Sequence, residues 1–61
     1  MEVKVYEETY CYGQRFRYYA YDAKTRKLVD TYDAIASDSK SARKEFREYA
    51  KELYKVLRIS K

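Results

Sequence analysis

The stretch DSKSARKEFREYAKELYKVLR, residues 38–58, decides the expected architecture, because it carries the longest periodic pattern in the chain. Ala42, Phe46, Tyr49, Ala50, Leu53 and Leu57 recur at helical spacing and, at about 100° per residue, stack on one face. Ser37 or Asp38 can cap the first amides, and no Gly or Pro interrupts the Ala, Arg, Lys, Glu and Leu that follow. The spacing therefore predicts one long amphipathic helix over 38–58. Away from the apolar stripe, Lys40, Arg43, Lys44, Arg47, Lys51, Lys55 and Arg58 form a basic column, and Glu45, Glu48 and Glu52 an acidic one. Like charges at i+4 cost a few tenths of a kcal/mol per pair, partly offset by Glu48 with Lys51 at i+3.

Upstream, Val3 to Tyr12 and Arg15 to Asp22 are rich in Val, Thr, Phe and Tyr, with the only glycine, Gly13, between them. This predicts strands over 3–12 and 15–22 joined by a two-residue Gly13-Gln14 hairpin. In that register Tyr12 faces Arg15, Tyr10 faces Arg17, Glu8 faces Tyr19 and Tyr6 faces Tyr21, all on one side. The other side holds Val5, Thr9, Cys11, Phe16, Tyr18 and Ala20, the smaller and more apolar set, and is assigned to the helix. Glu7 falls on that inner face too and sits badly there.

A polar loop, Asp22 to Lys27, leads to a third strand over 28–36. Val29, Thr31, Asp33 and Ile35 make about as good an inner face as Leu28, Asp30, Tyr32 and Ala34. The expected fold is α+β in one domain, 1–61: a three-stranded antiparallel sheet (β-β-β) packed on one long C-terminal helix.

With 61 residues the core is thin, and a homodimer is one way to bury more surface. A single cysteine cannot form an internal disulfide, and no basic-then-apolar leader opens the chain, so a reducing, cytoplasmic location is expected. No apolar run approaches the roughly 20 residues of a membrane crossing. The wealth of Lys, Arg, Glu and Tyr with few amides is like that of heat-adapted proteins. The net charge is +4. Residues 1–36 balance six basic against six acidic side chains, whereas 37–61 carry eight against four.

Catalysis is not expected. Without His, with one Cys and with no Ser beside a candidate base, neither a nucleophile–base pair nor a metal cluster can be assembled. Glu7 and Glu8 are neighbours in a strand and point to opposite faces. One glycine cannot build a phosphate loop, and no cofactor is implied.

The nine tyrosines are the unusual feature. Tyrosine builds strands well, and that alone accounts for many of them. The face that the hairpin register turns outward nevertheless places Tyr6, Tyr10, Tyr12, Tyr19 and Tyr21 among Arg15 and Arg17. Such a surface can stack on bases, donate to phosphates and read guanine edges, and it equally has the composition of a protein-binding hot spot. Lys24, Arg26 and Lys27 at the loop end can contact phosphates, although charged hairpin tips are commonly plain solvated loops.

The layout from Tyr12 to Leu57 resembles the small arm-type N-terminal DNA-binding domains of tyrosine-recombinase integrases and the AP2-like domains related to them. The resembling residues are Gly13-Gln14-Arg15-Phe16-Arg17-Tyr18-Tyr19-Ala20-Tyr21-Asp22, then Thr25-Arg26-Lys27, then Asp38-Ser39-Lys40-Ser41-Ala42. The resemblance implies a sheet laid in the major groove with Arg15, Arg17, Tyr19 and Tyr21 on the DNA. The chain departs from the pattern in having Arg26 where a turn glycine is usual and in lacking a strand Trp. Double-stranded DNA is thus the first expected partner. A protein partner or self-association through the same face, as in a small inhibitor protein of viral or plasmid origin, is the alternative, and unpaired RNA a third.

Overall fold

The computed structural model describes all 61 residues apart from the side chain of Cys11, so the expected packing of that thiol lies outside the described residues. Strands β1 (Glu2–Tyr10), β2 (Arg15–Asp22) and β3 (Leu28–Ile35) are followed by helix α1 (Ser39–Ala50) and a fourth strand, β4 (Lys55–Ser60). The sheet order is β3-β2-β1-β4, with β4 parallel to β1 and the other pairs antiparallel. Among the described residues no helix is long and apolar enough to cross a membrane.

The expected three strands and long C-terminal helix are therefore corrected to β-β-β-α-β with a mixed four-stranded sheet. The helix stops at Ala50, and Leu53 and Leu57, assigned to its stripe, are 56% and 44% exposed. Geometry gives the reason. Twelve helical residues span about 18 Å, within the length of the eight-residue strands below, whereas twenty-one would reach about 32 Å and overrun the sheet. Beyond Ala50, the β-branched Val56 and Ile59 gain more by covering Val3 and Val5 in a strand that also pairs one edge of β1. Lys55 N–H donates to the Met1 carbonyl at 2.8 Å and opens this pairing.

The first hairpin is also corrected. Its connection is four residues, 11–14, containing a 3-10 turn with Tyr12 (φ 56°) and Gly13 (φ 84°) both left-handed. Tyr10 consequently pairs Arg15, Glu8 pairs Arg17 and Tyr6 pairs Tyr19, a slip of two residues. An even slip keeps every side chain on its expected face. In β3 the inward set is Asp30, Tyr32 and Ala34, which leaves Val29 and Ile35 exposed. Hydrophobicity loses there to specific partners. Tyr32 stacks on Tyr49 with ring centres 4.3 Å apart, and Asp30 accepts the hydroxyls of Tyr49 (2.6 Å) and Tyr54 (2.9 Å).

The core lies between the sheet and a single row of the helix. Ala42, Phe46 and Ala50, four residues apart, are fully buried, and the two alanines let the helix approach closely while Phe46 stacks on Tyr18 at 4.7 Å. Asp38 caps the helix, its carboxylate accepting the Ser41 N–H at 2.8 Å. Glu7, the misfit of the inner face, has a side chain with no solvent exposure. Its carboxylate accepts from Arg43 Nε (3.1 Å) and Nη2 (3.3 Å), from Tyr18 Oη (2.8 Å) and from Ser39 Oγ (2.9 and 3.0 Å). Burial pushes this carboxyl up, but the bonds from Arg43, Tyr18 and Ser39 together outweigh it and hold it below the usual carboxylate range.

Two outcomes are expected. Ile59→Ala should cost about 2 kcal/mol in urea denaturation and Leu57→Ala under about 1 kcal/mol; the reverse order would restore the long helix. Glu7→Ala should cost about 3 kcal/mol, the low end for breaking a buried pair because Arg43 can rehydrate. Because the Glu7 value is depressed on folding, its contribution is complete above about pH 4.5 and is lost as pH falls through the folded value. Melting temperatures between pH 6 and about 3 should therefore fall less steeply in Glu7→Gln than in the parent.

Candidate nucleic-acid interface

With the helix on one side, the other side of the sheet is open. Alternation places Lys4, Tyr6, Glu8 and Tyr10 of β1 there, with Arg15, Arg17, Tyr19 and Tyr21 of β2, Thr31, Asp33 and Ile35 of β3, and Arg58 of β4. Five of the nine expected site residues, Tyr10, Arg15, Arg17, Tyr19 and Tyr21, thus share this face. Tyr12 does not: it stands at the hairpin tip, fully exposed in a left-handed conformation. Lys24, Arg26 and Lys27 lie in the exposed β2–β3 loop.

That loop is built by Asp22. Its Oδ1 accepts the backbone N–H of Lys24 (2.7 Å) and of Thr25 (3.1 Å), bonds that hold the carboxyl below its ordinary value. Arg26 N–H donates to the Asp22 carbonyl at 2.8 Å, closing the turn with Arg26 at φ 64°.

Much of the centre of the face is already committed within the molecule. Glu8 Oε1 accepts the hydroxyl of Tyr19 at 2.6 Å and that of Tyr10, and the two hydroxyls lie 3.2 Å apart. These bonds, first from Tyr10 and then from Tyr19, lower the Glu8 carboxyl, and the same contact with Glu8 pushes the Tyr10 phenol well above its ordinary value. Arg17 donates from Nε to Asp33 Oδ1 at 2.7 Å and lies 5.3 Å above the Tyr10 ring. Both members of that ion pair are exposed, so solvent screens it and it yields readily to a competing anion. Toward the loop end, Tyr6 and Tyr21 meet edge to face with ring centres 5.7 Å apart.

Tyr6 lies on this face as the hairpin register expects. Two of its cations were not singled out from the sequence: Lys4 was accessible to the same alternation that found Tyr10. Arg58 was not, because the helical reading placed it on the far side of the molecule. The Arg17–Asp33 pair required the β2–β3 register, which the ambiguous third strand withheld.

Fourteen basic side chains stand against ten acidic ones. Among the described residues ion pairs engage Arg17, Arg43 and Lys51. Glu8, Asp22, Asp30, Asp38 and Glu45 instead accept from tyrosine hydroxyls or backbone N–H groups, so the modest net charge understates the cations that lack a carboxylate partner among the described residues. No protein-family model, curated protein or solved structure matches the chain.

The Glu8 contact has a direct readout. In a pH titration of ring-labelled tyrosine by NMR, Tyr10 should stay protonated beyond the ordinary phenol range near pH 10, and in Glu8→Gln it should titrate close to that value. An unchanged Tyr10 titration in the variant would remove Glu8 as the cause.

Proposed function

We propose that this chain is a small non-enzymatic nucleic-acid-binding module whose contact surface is the open face of the sheet. The observation that carries the proposal is that the one helix covers one side of the sheet and leaves tyrosine rings interleaved with Lys4, Arg15, Arg17 and Arg58 on the other. Rings of this kind stack on bases of any sequence at about 1–3 kcal/mol each, and the cations track the backbone. Arg15, Arg17, Tyr19 and Tyr21, the residues that the likeness to arm-type DNA-binding domains puts on DNA, are among those on this face.

The fourth strand bears on the kind of nucleic acid. The major groove, about 12 Å wide, admits a helix or a two-stranded ribbon. A molecule with principal extents of 33 × 19 × 14 Å and four strands side by side is too broad to enter it face-first. An unpaired strand laid across the sheet, its bases splayed onto the rings, fits better than the duplex expected from sequence. Glu7 takes no chemical part, since its carboxylate is closed off from any substrate.

Self-association is the second reading, favoured by the outer position of β3 and by exposed Leu28, Val29 and Ile35 along it.

Fluorescence anisotropy with a labelled 12-nucleotide strand and its duplex, at two salt concentrations, tests the proposal. The strand should bind more tightly than the duplex, with a log–log salt slope of about −3 if four phosphates are neutralised at about −0.7 each. Tyr19→Ala should weaken binding by about 1–3 kcal/mol. A flat salt dependence, or a Tyr19→Ala variant that binds like the parent, would remove the sheet face as a nucleic-acid surface. Sedimentation of the free protein should give a monomer; a dimer dissociated by a charged substitution at Val29 would favour the second reading.

A further inference from the structure

At the loop end of the open face a cleft of about 360 Å³ is lined by Lys4, Tyr6, Tyr21, Arg26 and Arg58, with Asp22 and Ala23 completing the lining. We propose that this cleft is a nucleotide subsite, taking one phosphate on the cations and its base against the Tyr6–Tyr21 pair. The inference rests on the nucleic-acid reading and specifies where one nucleotide unit is gripped.

Four observations converge here. The volume lies at the lower end of the range of small-molecule sites, about 300–1,000 Å³. The three cations come from β1, the β2–β3 loop and β4, and the ion pairs of the molecule involve other residues. The one carboxylate in the lining, Asp22, is turned into the loop, where it accepts two backbone N–H groups. The rings of Tyr6 and Tyr21, both in the lining, stand at 79° to each other with centres 5.7 Å apart. Six of the other seven tyrosines give their hydroxyl to a carboxylate, whereas these two are not so engaged.

Arg26 adds an independent argument. It holds a left-handed backbone, φ 64°, that glycine adopts freely and that strains an L side chain. Strain of this kind collects at ligand sites, and Arg26 is one of the residues lining the cleft.

Two sources share the ligand chemistry: a nucleotide within an unpaired strand and a free nucleoside monophosphate. Amide NMR titrations of the labelled protein with adenosine 5′-monophosphate, adenosine, inorganic phosphate and an unpaired 12-mer separate them. The monophosphate should shift the amides around Lys4, Tyr21, Arg26 and Arg58, and adenosine or phosphate alone should bind about tenfold more weakly or less. Arg58→Ala and Tyr21→Ala should each weaken the monophosphate about tenfold. Arg26→Gly should weaken it similarly while raising the melting temperature by a few degrees, a combination that a purely structural arginine would not give. Shifts confined to other parts of the molecule, or an Arg26→Gly variant that binds as the parent does, would overturn the subsite. If the 12-mer binds and these variants leave it unaffected, the subsite falls and the open-face reading stands. If the monophosphate binds in the cleft and the 12-mer does not bind, the subsite stands as one for a free nucleotide and the strand reading falls.

Discussion

The carboxylate of Glu7 has no contact with solvent, and everything about the layout of this molecule follows from where its partners come from. A charge taken out of water must be compensated within the protein or the fold does not form. Tyr18 answers from the neighbouring strand, while Ser39 and Arg43 answer from the helix. Those two are four residues apart, on the first turns of α1, beside the row Ala42, Phe46 and Ala50 that packs on the sheet. The hydrophobic row alone would tolerate sliding along the strands; the bonds to Glu7 fix both the rotation of the helix and its position along β1. They also settle which side of the sheet is covered, and so which side is left open.

A second economy runs through the polar residues. Four carboxylates, Glu7, Glu8, Asp30 and Glu45, accept six tyrosine hydroxyls between them. Asp22 and Asp38 are occupied by backbone N–H groups of a turn and of a helix start. Tyrosine thereby neutralises the demand of the acids for hydrogen bonds without cancelling their charge, and most lysines and arginines are left without a carboxylate partner. In water such tyrosine–carboxylate contacts at the surface are weak, but they hold rings at fixed angles, and a fixed ring loses less freedom when a base stacks on it. The electrostatic and aromatic features of the open face are thus two results of one bonding pattern.

How much of this was legible in the sequence depends on whether the signal was local. The facing of β1 and β2 was, because alternation of Val5, Phe16, Tyr18 and Ala20 against Tyr10, Arg15 and Arg17 survives a two-residue error in the turn. The helix start at Asp38 was legible from its cap. The helix end was not. Between Val3 and Lys4 the pairing of β1 with β4 shifts by one residue, so that Leu57 is extra and the inward residues become Val56 and Ile59 rather than an alternating set. That bulge erases the period of two and leaves Leu53 and Leu57 at helical spacing by coincidence. A second bulge between Ala20 and Tyr21 makes Val29 extra in the same way and explains why both faces of the third strand looked equally apolar. With β4 hidden, Arg58 could not be placed beside Lys4, and the cleft they share was invisible.

A four-stranded sheet with a single twelve-residue helix can be covered on one side only, and the chemistry of the uncovered side is constrained by that shortage. Aliphatic residues there would form a large exposed apolar patch, and charged ones alone would pack poorly across strands. Tyrosine satisfies both demands, with high strand propensity, a broad ring to shield the backbone and a hydroxyl that keeps the surface wet. The same properties make a ring a platform for a base. On the proposed subsite, Arg26, whose left-handed backbone strains the turn beside the Tyr6–Tyr21 cleft, is where stability is traded for binding.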